Sequence, residues 1–428
     1  MRGYIVRRLN LAALIVGMVS APAASGQVPS TPRELGMGGA YIGVARGHEA
    51  IFMAPGNLGL ADAPRWSFGF PQVAIGGAVV GPDAMDLLDL AAYPELSDAR
   101  KDELMRTLPE AGTAGNFAMK APLFAYTQGG LALGVGFASV GRHTLSRDLA
   151  ELFLEGFEEN RTDYSVGDTS GERASYWDFA IGYGRELPGG LSLGATAHYL
   201  RGRSIVRSRL FEPRILFGRN DIEVDYVGVL ARGGSGFALD VGAAYRPHPR
   251  LTLSGAITNV VARMNWSEDL FVRSVTVDRE LLEALSPTDL LDRYEASERE
   301  FDPHAASLQA FNAAEGLYQD AVPPAFSRLG VAWSPLTGTH LAADYHRRLT
   351  HGRLGDAWGD RFSLGIQQKL ALVSLRGGYA TAADGAEMIT GGLSLGPLDL
   401  GVGRYRNPAP DDALARGWIA TFGLGVRP

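Results

Sequence analysis

The chain has no cysteine among its 428 residues. This absence excludes disulfide bonds, thiolate catalysis and cysteine-based zinc sites. Basic residues are also in the minority, with 40 Lys and Arg against 47 Asp and Glu and a net charge of −7. Because nucleic-acid binding needs a basic surface, this balance predicts no nucleic-acid partner.

The chain also lacks any uninterrupted apolar run of about 18 residues, the length that a membrane-spanning helix needs. The apolar stretch at residues 11–19 is shorter. It follows Arg2, Arg7 and Arg8 and precedes small residues up to Gly26, which is the pattern of a secretory signal peptide over residues 1–26. No cysteine stands at the expected cleavage point, so no lipoprotein anchor is predicted, and we expect export through the Sec pathway.

Apolar residues that alternate with small or polar ones recur through most of the chain. In residues 236–245, Phe237 and Tyr245 fall on one face of a strand and Asp240 falls on the other. The same pattern occurs near residues 131–137, 177–183, 191–199, 341–346, 362–367, 373–379 and 418–426. Many of these runs have about 9–11 residues, which suits a tilted transmembrane strand.

Tyrosines close several of these runs, at Tyr183, Tyr199, Tyr245 and Tyr379. Aromatic residues at strand ends are typical of the interfacial girdles of membrane barrels. We therefore predict an all-β fold, a transmembrane antiparallel β-barrel of about 14 strands whose apolar faces meet lipid and whose polar faces line a lumen. A soluble periplasmic all-β protein, with its apolar faces turned to a core, is the alternative.

Glycine is abundant, with 55 residues, nearly twice the usual share of about 7%. The glycines lie inside the alternating runs as well as between them. This placement predicts strands that border a crowded interior or bend around a barrel wall.

Three stretches break the alternation and are predicted as helical insertions, near residues 83–112, 146–160 and 278–319. In the first, Leu104, Met105 and Leu108 lie among many charged residues. In the second, Ser146 is the expected N-cap and Gly156 the expected end. Because such charged segments cannot lie against lipid, we expect extracellular loops, lumen plugs or caps.

The stretch before the first strong strand is rich in glycine. Residues 33–45 read R-E-L-G-M-G-G-A-Y-I-G-V-A, and residues 49–60 read E-A-I-F-M-A-P-G-N-L-G-L. Such glycines permit positive φ or close backbone approach, and Pro55-Gly56 indicates a turn. No Gly-Lys-Ser/Thr follows, so a nucleotide-binding loop is not predicted.

This motif resembles the N-terminal segment of FadL-type outer-membrane barrels. That family includes transporters of long-chain fatty acids and hydrocarbons, and related barrels serve a protein-secretion system. Its L-G-M-G-G-A-Y stretch is followed by a turn close to N-P-A-x-L; this chain keeps Pro55, Asn57 and Leu58 but has Ala54 where the family has Asn. Residues 237–259 and 324–335 also resemble the family's paired strands, and the resemblance to a branch without assigned function covers essentially the whole mature chain.

The resemblance implies a hatch over residues 27–62 and a barrel over residues 63–428 that carries the three insertions. The predicted hatch and ligand residues are Met37, Gly38, Gly39, Ile42, Ile51, Phe52, Met53, Pro55 and Asn57. The apolar members of this set either contact a ligand or pack the hatch against the barrel wall. The sequence leaves both interpretations open.

The eight histidines form no metal-binding motif, so neither a metal nor another cofactor is predicted. Ser192 and His198 share the predicted inner face. They stand roughly 20 Å apart along one strand, too far for a nucleophile and its base, so we predict that they line the lumen and that the protein is not an enzyme.

The polar residues predicted to line the lumen are Asp178, His198, Asp240, Asp344, His346 and Arg376. Because a buried charge needs a partner, we expect ion pairs that hold the barrel and the hatch, with a proton relay or ion site as the alternative. Arg207, Arg214 and Arg219 are interpreted as a solvated outer loop, with contact to anionic lipopolysaccharide as the alternative.

The expected function is the passive passage or binding of a hydrophobic small molecule in the outer membrane. The alternative is a non-transporting barrel that acts as a scaffold for an envelope or secretion complex through its helical insertions. The expected partners are outer-membrane lipid and lipopolysaccharide, a hydrophobic small molecule and envelope proteins.

Overall fold

The computed structural model describes residues 29–80, 97–155, 163–165, 169–211, 214–216, 224–277, 296–300, 321–350, 352, 354, 360–408 and 414–426. The predicted signal peptide, most of the predicted insertion at 278–319, Gly156 and Arg219 lie outside these residues.

Strands dominate the described residues. They are β1 Trp66–Val80, β2 Thr113–Gln128, β3 Leu131–Leu145, β4 Asp163–Ser165, β5 Ser170–Leu187, β6 Leu191–Phe211, β7 Arg214–Leu216, β8 Val224–His248, β9 Leu251–Val277, β10 Arg299–Glu300, β11 Phe326–Trp333, β12 Thr339–Arg348, β13 Arg361–Leu370, β14 Val373–Ala382, β15 Glu387–Leu395, β16 Leu398–Pro408 and β17 Leu414–Val426.

A closed barrel of 14 antiparallel strands forms the body of the molecule. Around the wall the order is β1, β2, β3, β5, β6, β8 and β9, followed by β11 to β17, and β17 pairs back with β1. The two-residue β10 adds to β9, while β4 and β7 form a separate ribbon. Closure leaves no open sheet edge in the wall, which is what the hydrocarbon of a bilayer requires.

The two faces of the wall differ as the alternation predicts. On β8, Phe237 and Tyr245 are exposed on the outside, whereas Ala238, Asp240 and Ala244 are buried on the inside. A soluble sheet protein would bury its apolar face instead. The prediction of a barrel with apolar faces turned to lipid is therefore confirmed.

Exposed aromatic residues lie at two heights on the outer wall. Tyr183 and Tyr245 lie next to the short connections, and Tyr199 and Tyr379 lie towards the opposite end. On β8, Phe237 and Tyr245 are separated by roughly 27 Å along the strand. For a tilted strand this distance brackets an apolar band of about the height found in membrane barrels.

The connections at the two ends of the barrel differ in length. One end has short turns at residues 129–130, 188–190, 249–250, 371–372 and 396–397, and the other carries the connections at 81–112, 146–169 and 278–325. Outer-membrane barrels have short periplasmic turns and long extracellular loops. This rule orients the barrel with the short-turn end towards the periplasm.

The wall is irregular in several places, including one near Pro71 and one near Asn259. Between β1 and β2 the ladder passes from Gly69–Ala125 to Ala74–Lys120, and Pro71 lies in this gap without an N–H to donate. Between β8 and β9 the register shifts next to Asp240, whose Oδ1 accepts the backbone N–H of the bulged Asn259 at 2.7 Å. Asn259 has φ of 54°, a region that asparagine tolerates better than most residues.

Helices are few and short in the described residues: α1 Pro32–Gly36, α2 Asp98–Thr107 and α3 Arg147–Glu155. The first predicted insertion contains α2, but β2 already begins at its end. Ser146 caps α3 as predicted, since its Oγ accepts the Leu149 N–H at 3.4 Å. The Arg147 guanidinium donates to the carbonyl oxygen of Leu108 and so joins the two insertions at the long-loop end.

Within the described part of the chain, no helix is both long and apolar enough to span a membrane.

A charge on the outer wall is expected to destabilise the barrel according to its depth. Ile366 lies on the outward face of β13, midway between Phe362 and Leu370, and is 48% exposed. Ile366→Arg should cost about 2–4 kcal/mol in a bilayer, because it places a charge near the midplane. Leu372→Arg, in the β13–β14 turn and 82% exposed, is the matched control and should cost about 0–1 kcal/mol.

Urea titration of both variants refolded into phospholipid vesicles measures this difference. Equal costs at the two positions would contradict a lipid-facing β13.

Candidate functional site

The predicted hatch, of which the structure describes residues 29–62, lies inside the barrel near its short-turn end. The segment begins with α1, where the Thr31 Oγ1 accepts the Glu34 N–H at 3.1 Å. It turns at Gly38 and Gly39, both with positive φ, and continues through 3-10 turns at Gly47–Glu49 and Pro55–Gly59. Almost all of its side chains are buried, so the hatch fills the lumen at this level.

Inward-facing glycines of the wall make room for the hatch backbone. A Cβ atom on Gly194 of β6 would overlap the carbonyl of Pro55, and one on Gly378 of β14 would overlap the backbone at Gly38. The same holds on β8, where the Gly242 position lies against Gly56. The strand glycines predicted to border a crowded interior are therefore the sites of closest contact between wall and hatch.

Small polar side chains on the inner wall bind the hatch backbone. The Ser192 hydroxyl donates to the carbonyl oxygen of Gly56 at 2.6 Å, and the Thr196 hydroxyl donates to that of Ile51 at 3.0 Å. On the opposite side, Asp344 Oδ2 accepts the N–H groups of Tyr41 and Ile42 at 2.8 and 2.9 Å. These bonds satisfy buried hatch groups that have no partner in a regular helix or sheet.

Asn57 joins the two halves of the hatch to each other and to the wall. Its side-chain nitrogen donates to the carbonyl oxygens of Ile42 and Ala45 at 2.6 and 2.9 Å. Its side-chain oxygen accepts the Ser254 hydroxyl of β9 at 2.9 Å. Asn57 is completely buried, and loss of its side chain would leave each of these groups unsatisfied at a cost of about 1–3 kcal/mol apiece.

Two buried ion pairs hold α1 to the wall. Glu34 pairs with Arg328 of β11, and both side chains are almost completely buried. Arg33 pairs with Asp399 of β16 at 2.9 Å and lies 3.6 Å from Glu49 of the hatch itself. Removing one partner of a buried pair costs about 3–5 kcal/mol because an unpaired charge remains. Displacement of α1 would therefore be opposed at both contacts.

His198 lies between two carboxylates just beyond the hatch. Its Nδ1 is 2.9 Å from Asp178 Oδ1, and its Nε2 is 3.3 Å from Asp240 Oδ2. The Phe52 ring of the hatch is next to it, with 6.3 Å between ring centroids. Asp178, His198 and Asp240 come from β5, β6 and β8, three neighbouring strands of the wall.

Towards the long-loop end, apolar and polar side chains both line the inner wall. The apolar residues form one connected, buried cluster and are mostly small: Ala74, Ala78, Ala118, Ala138, Val140, Ala174, Tyr176, Leu200, Ile205, Ala238, Ala380, Ala382, Met388, Tyr405 and Ile419. Leu35 of the hatch belongs to the same cluster. Polar side chains on the same part of the inner wall include Lys120, Arg207 and Arg361. The apolar cluster is the part of the wall that suits contact with apolar molecules.

No protein-family model matches the chain, and no curated protein is similar to it in sequence. Solved structures are similar in fold. The toluene transporter TbuX of Ralstonia pickettii has a TM-score of 0.56 at 14% identity, over 94% of this chain and 100% of its own. The toluene transporter TodX of P. putida has a TM-score of 0.56 at 12% identity, over 94% of this chain and 99% of its own.

A FadL homologue of Pseudomonas aeruginosa is also similar, with a TM-score of 0.51 at 12% identity over 94% of this chain and 99% of its own. The fold is that of the FadL-type outer-membrane barrels. The predicted resemblance in fold and the strand number are thereby confirmed.

Within this FadL-type barrel, the predicted hatch residues occupy different environments. Met37, Ile42, Ile51 and Met53 are fully buried in hatch and wall contacts, whereas Phe52 is only partly buried. Gly38, Gly39, Pro55 and Asn57 shape the hatch backbone as described above. Contact of any of these residues with a ligand stays a prediction. Among the five apolar candidates, Phe52 has the most accessible side chain.

The predicted polar residues face inward, and their partners include hatch backbone groups and hydroxyl groups as well as opposite charges. Asp344 accepts two backbone N–H groups of the hatch and also lies in the field of the Arg328 guanidinium. Arg376 donates to the Ser394 hydroxyl at 2.6 Å and lies 3.6 Å from Asp399. His346 is buried with its ring 5.1 Å from that of Phe326.

The interpretation of Arg207 as part of a solvated outer loop is wrong. Arg207 lies on the inner face of β6, is buried, and pairs with Glu172 of β5 at 3.1 Å. Arg214 belongs to β7, and Arg219 lies outside the described residues. Continuation of β6 well beyond the apolar band, to Phe211, is what brings Arg207 into the wall.

Several hatch contacts were not predicted from the sequence. Ser192 was predicted to line the lumen but not to bind the hatch, and Thr196 shares the inner face with it, so strand alternation could have marked both as hatch contacts. Arg328 and Asp399 could not be found in this way, because their partners Glu34 and Arg33 are about 300 residues or more distant in the chain. In the described ranges, no three or more His, Asp and Glu side chains are arranged to hold a metal ion.

Substitution by alanine should increase protease sensitivity at wall glycines that contact the hatch and leave it unchanged at those that do not. Gly194→Ala places a methyl group against Pro55 and should displace that part of the hatch, which makes it more accessible to protease. Gly391→Ala on β15 is the matched control, because a Cβ atom there meets nothing within 4 Å. Limited proteolysis of the folded proteins in detergent measures the effect, and equal cleavage of the two variants would contradict the close contact at Gly194.

Proposed function

We propose that this protein is an outer-membrane channel through which hydrophobic small molecules diffuse passively. The buried apolar cluster on the inner wall between the hatch and the long-loop end is the observation that carries the proposal. Ions and sugars need polar groups to replace their hydration, and the alanine, leucine, isoleucine and methionine side chains of this cluster cannot supply them. Apolar molecules lose no hydrogen bonds on entering such a lumen.

The fold comparisons support the same class of cargo. TbuX and TodX are both described as toluene transporters. At 12–14% identity these relatives share the fold with this chain, and the transfer of a hydrophobic cargo from them to this protein is part of our proposal. Nothing in these comparisons supports the alternative role as an envelope or secretion scaffold.

In the proposed pathway, the hatch limits the passage of a molecule through the lumen. Because it fills the lumen near the periplasmic turns, a molecule that enters from the long-loop end must pass beside it or wait for it to move. Its many backbone bonds to Ser192, Thr196 and Asp344 favour local rearrangement over complete release. Export by the Sec pathway on the predicted signal peptide and contact with outer-membrane lipid belong to the same proposal, and no catalytic step is included.

Mass spectrometry of small molecules that co-purify with the protein tests the proposal directly. The protein would be extracted gently from outer membranes, and an unrelated barrel from the same cells would be the control. Enrichment of a fatty acid, an aromatic hydrocarbon or another apolar compound is the expected result. Recovery of background lipid alone from both proteins would contradict it.

Phe52 is expected to limit passage beside the hatch. Its ring lies against the Gly134 and Gly136 positions of β3 and next to His198, so Phe52→Ala should widen this region and raise toluene entry several-fold. Met53→Leu is the matched control, since Met53 is buried within the hatch packing and the change conserves volume. Initial rates of labelled toluene uptake by cells with equal amounts of folded barrel give the comparison. The same rate for Phe52→Ala and the unaltered protein would discard this role of Phe52.

A further inference from the structure

The outward face of β16 changes from apolar to basic along the strand. Leu400 and Val402 are exposed on the outer wall, and Arg404 and Arg406 follow on the same face. The direction of change is towards the long-loop end, because β16 begins at the short turn that follows β15.

The neighbouring strand β17 is antiparallel to β16, so its outward face changes from basic to apolar along the chain. Trp418 is exposed and is paired directly with Arg404, and Arg416 is paired directly with Arg406. Directly paired residues on antiparallel strands project on the same side with their Cβ atoms about 5 Å apart. One outward cluster is formed in this way, with Arg404 beside Trp418 and with Arg406 and Arg416 on its long-loop side. We call these three arginines the arginine patch.

The arginine patch has fewer negative partners than positive charges. Glu387 of β15 pairs with Arg406 at 2.7 Å, yet the Arg406 side chain stays 64% exposed. Arg404 and Arg416 make no ion pair within the part of the chain that the structure describes. Like charges that are directly paired across a ladder repel each other, so the patch is an arrangement that an external anion would stabilise.

Several other outward arginines on this part of the wall are paired with carboxylates. Arg201 of β6 makes a bidentate pair with Glu268 at 2.5 and 2.7 Å. Arg347 of β12 lies 3.6 Å from Asp360, and Arg232 lies 2.6 Å from Glu298. Exposed Arg203 and Arg263 have no ion pair among the described residues, but neither is paired across the ladder with a second arginine. The clustering of three arginines on two adjacent strands is therefore what distinguishes β16 and β17.

The position of the patch indicates which anion can reach it. It lies on the lipid-facing side, directly beyond the apolar band and an exposed tryptophan, which places it among lipid headgroups. It lies at the long-loop end, so these headgroups belong to the outer leaflet. Lipopolysaccharide of that leaflet carries phosphate groups, and the planar guanidinium binds phosphate through paired hydrogen bonds.

We propose that Arg404, Arg406 and Arg416 form a binding site for the phosphate groups of lipopolysaccharide on the outer wall of the barrel. This site is independent of the lumen and of the proposed channel function. Contact with lipopolysaccharide was the alternative considered for Arg207 from the sequence, and the buried position of Arg207 excludes it there.

Binding to deep-rough lipopolysaccharide tests the proposal. The barrel would be refolded in detergent without lipopolysaccharide, and its affinity would be measured for the lipid before and after phosphatase treatment. The triple variant Arg404→Gln, Arg406→Gln, Arg416→Gln should bind the untreated lipid at least about tenfold more weakly. Arg347→Gln, which changes an outward arginine that has its own carboxylate, is the matched control and should leave the affinity unchanged.

Three results would overturn the proposal: an unaltered affinity in the triple variant, equal binding of the phosphatase-treated lipid, or equal binding of phosphatidylglycerol micelles by the unaltered protein. The last result would show a general preference for anionic lipid. Heat-modifiable migration on gels verifies that each variant is folded. If the triple variant does not refold, the single variants Arg404→Gln and Arg416→Gln are compared with Arg347→Gln by the same criterion.

Discussion

Every backbone N–H and C=O group inside a bilayer must find a partner within the protein, and the closed ladder of 14 strands is how this chain meets that requirement. Closure determines the rest of the architecture. It removes the sheet edges, it sends alternate side chains to lipid and to the lumen, and it creates an interior that a hatch can occupy. The ladder is interrupted at several places, among them Pro71 and Asn259, and at Asn259 the carboxylate of Asp240 accepts the N–H that the ladder leaves free.

The N–H and C=O groups of the hatch also need partners, because the hatch backbone is buried and has no regular ladder of its own. Two types of wall residue meet this need. Glycines such as Gly194 and Gly378 let the two backbones approach closely, while Ser192, Thr196 and Asp344 bind hatch carbonyl and N–H groups. Because these contacts are distributed around the barrel, one part of the hatch can rearrange while the other parts remain bound. The buried pairs Glu34–Arg328 and Arg33–Asp399 fix the position of α1.

The lumen and the outer wall have separate chemistry. Inside, polar groups hold the hatch and surround His198, and a buried apolar cluster beyond them suits a cargo without hydrogen-bonding groups. Outside, the apolar band ends at aromatic residues and is followed by arginines, which cluster on β16 and β17 with a single carboxylate partner. The proposed passage of hydrophobic molecules depends on the first arrangement and the proposed lipopolysaccharide contact on the second, so the two proposals can fail independently.

The sequence by itself determined the fold class, because the period of two is a local property: Phe237, Asp240 and Tyr245 show their faces without knowledge of any other strand. It also indicated the inward direction of Asp178, His198 and Asp240, while the hatch was implied by the resemblance of the segment around Met37 and Pro55 to FadL-type barrels. Only the tertiary structure decided the partners. Arg207 was interpreted as a loop residue, but β6 extends past it; Asp344 accepts two hatch N–H groups, and Arg33 pairs with Asp399 at the far end of the chain. Such pairings depend on strand register and on closure between β17 and β1, and no local pattern encodes the contact of residues that are hundreds of positions apart.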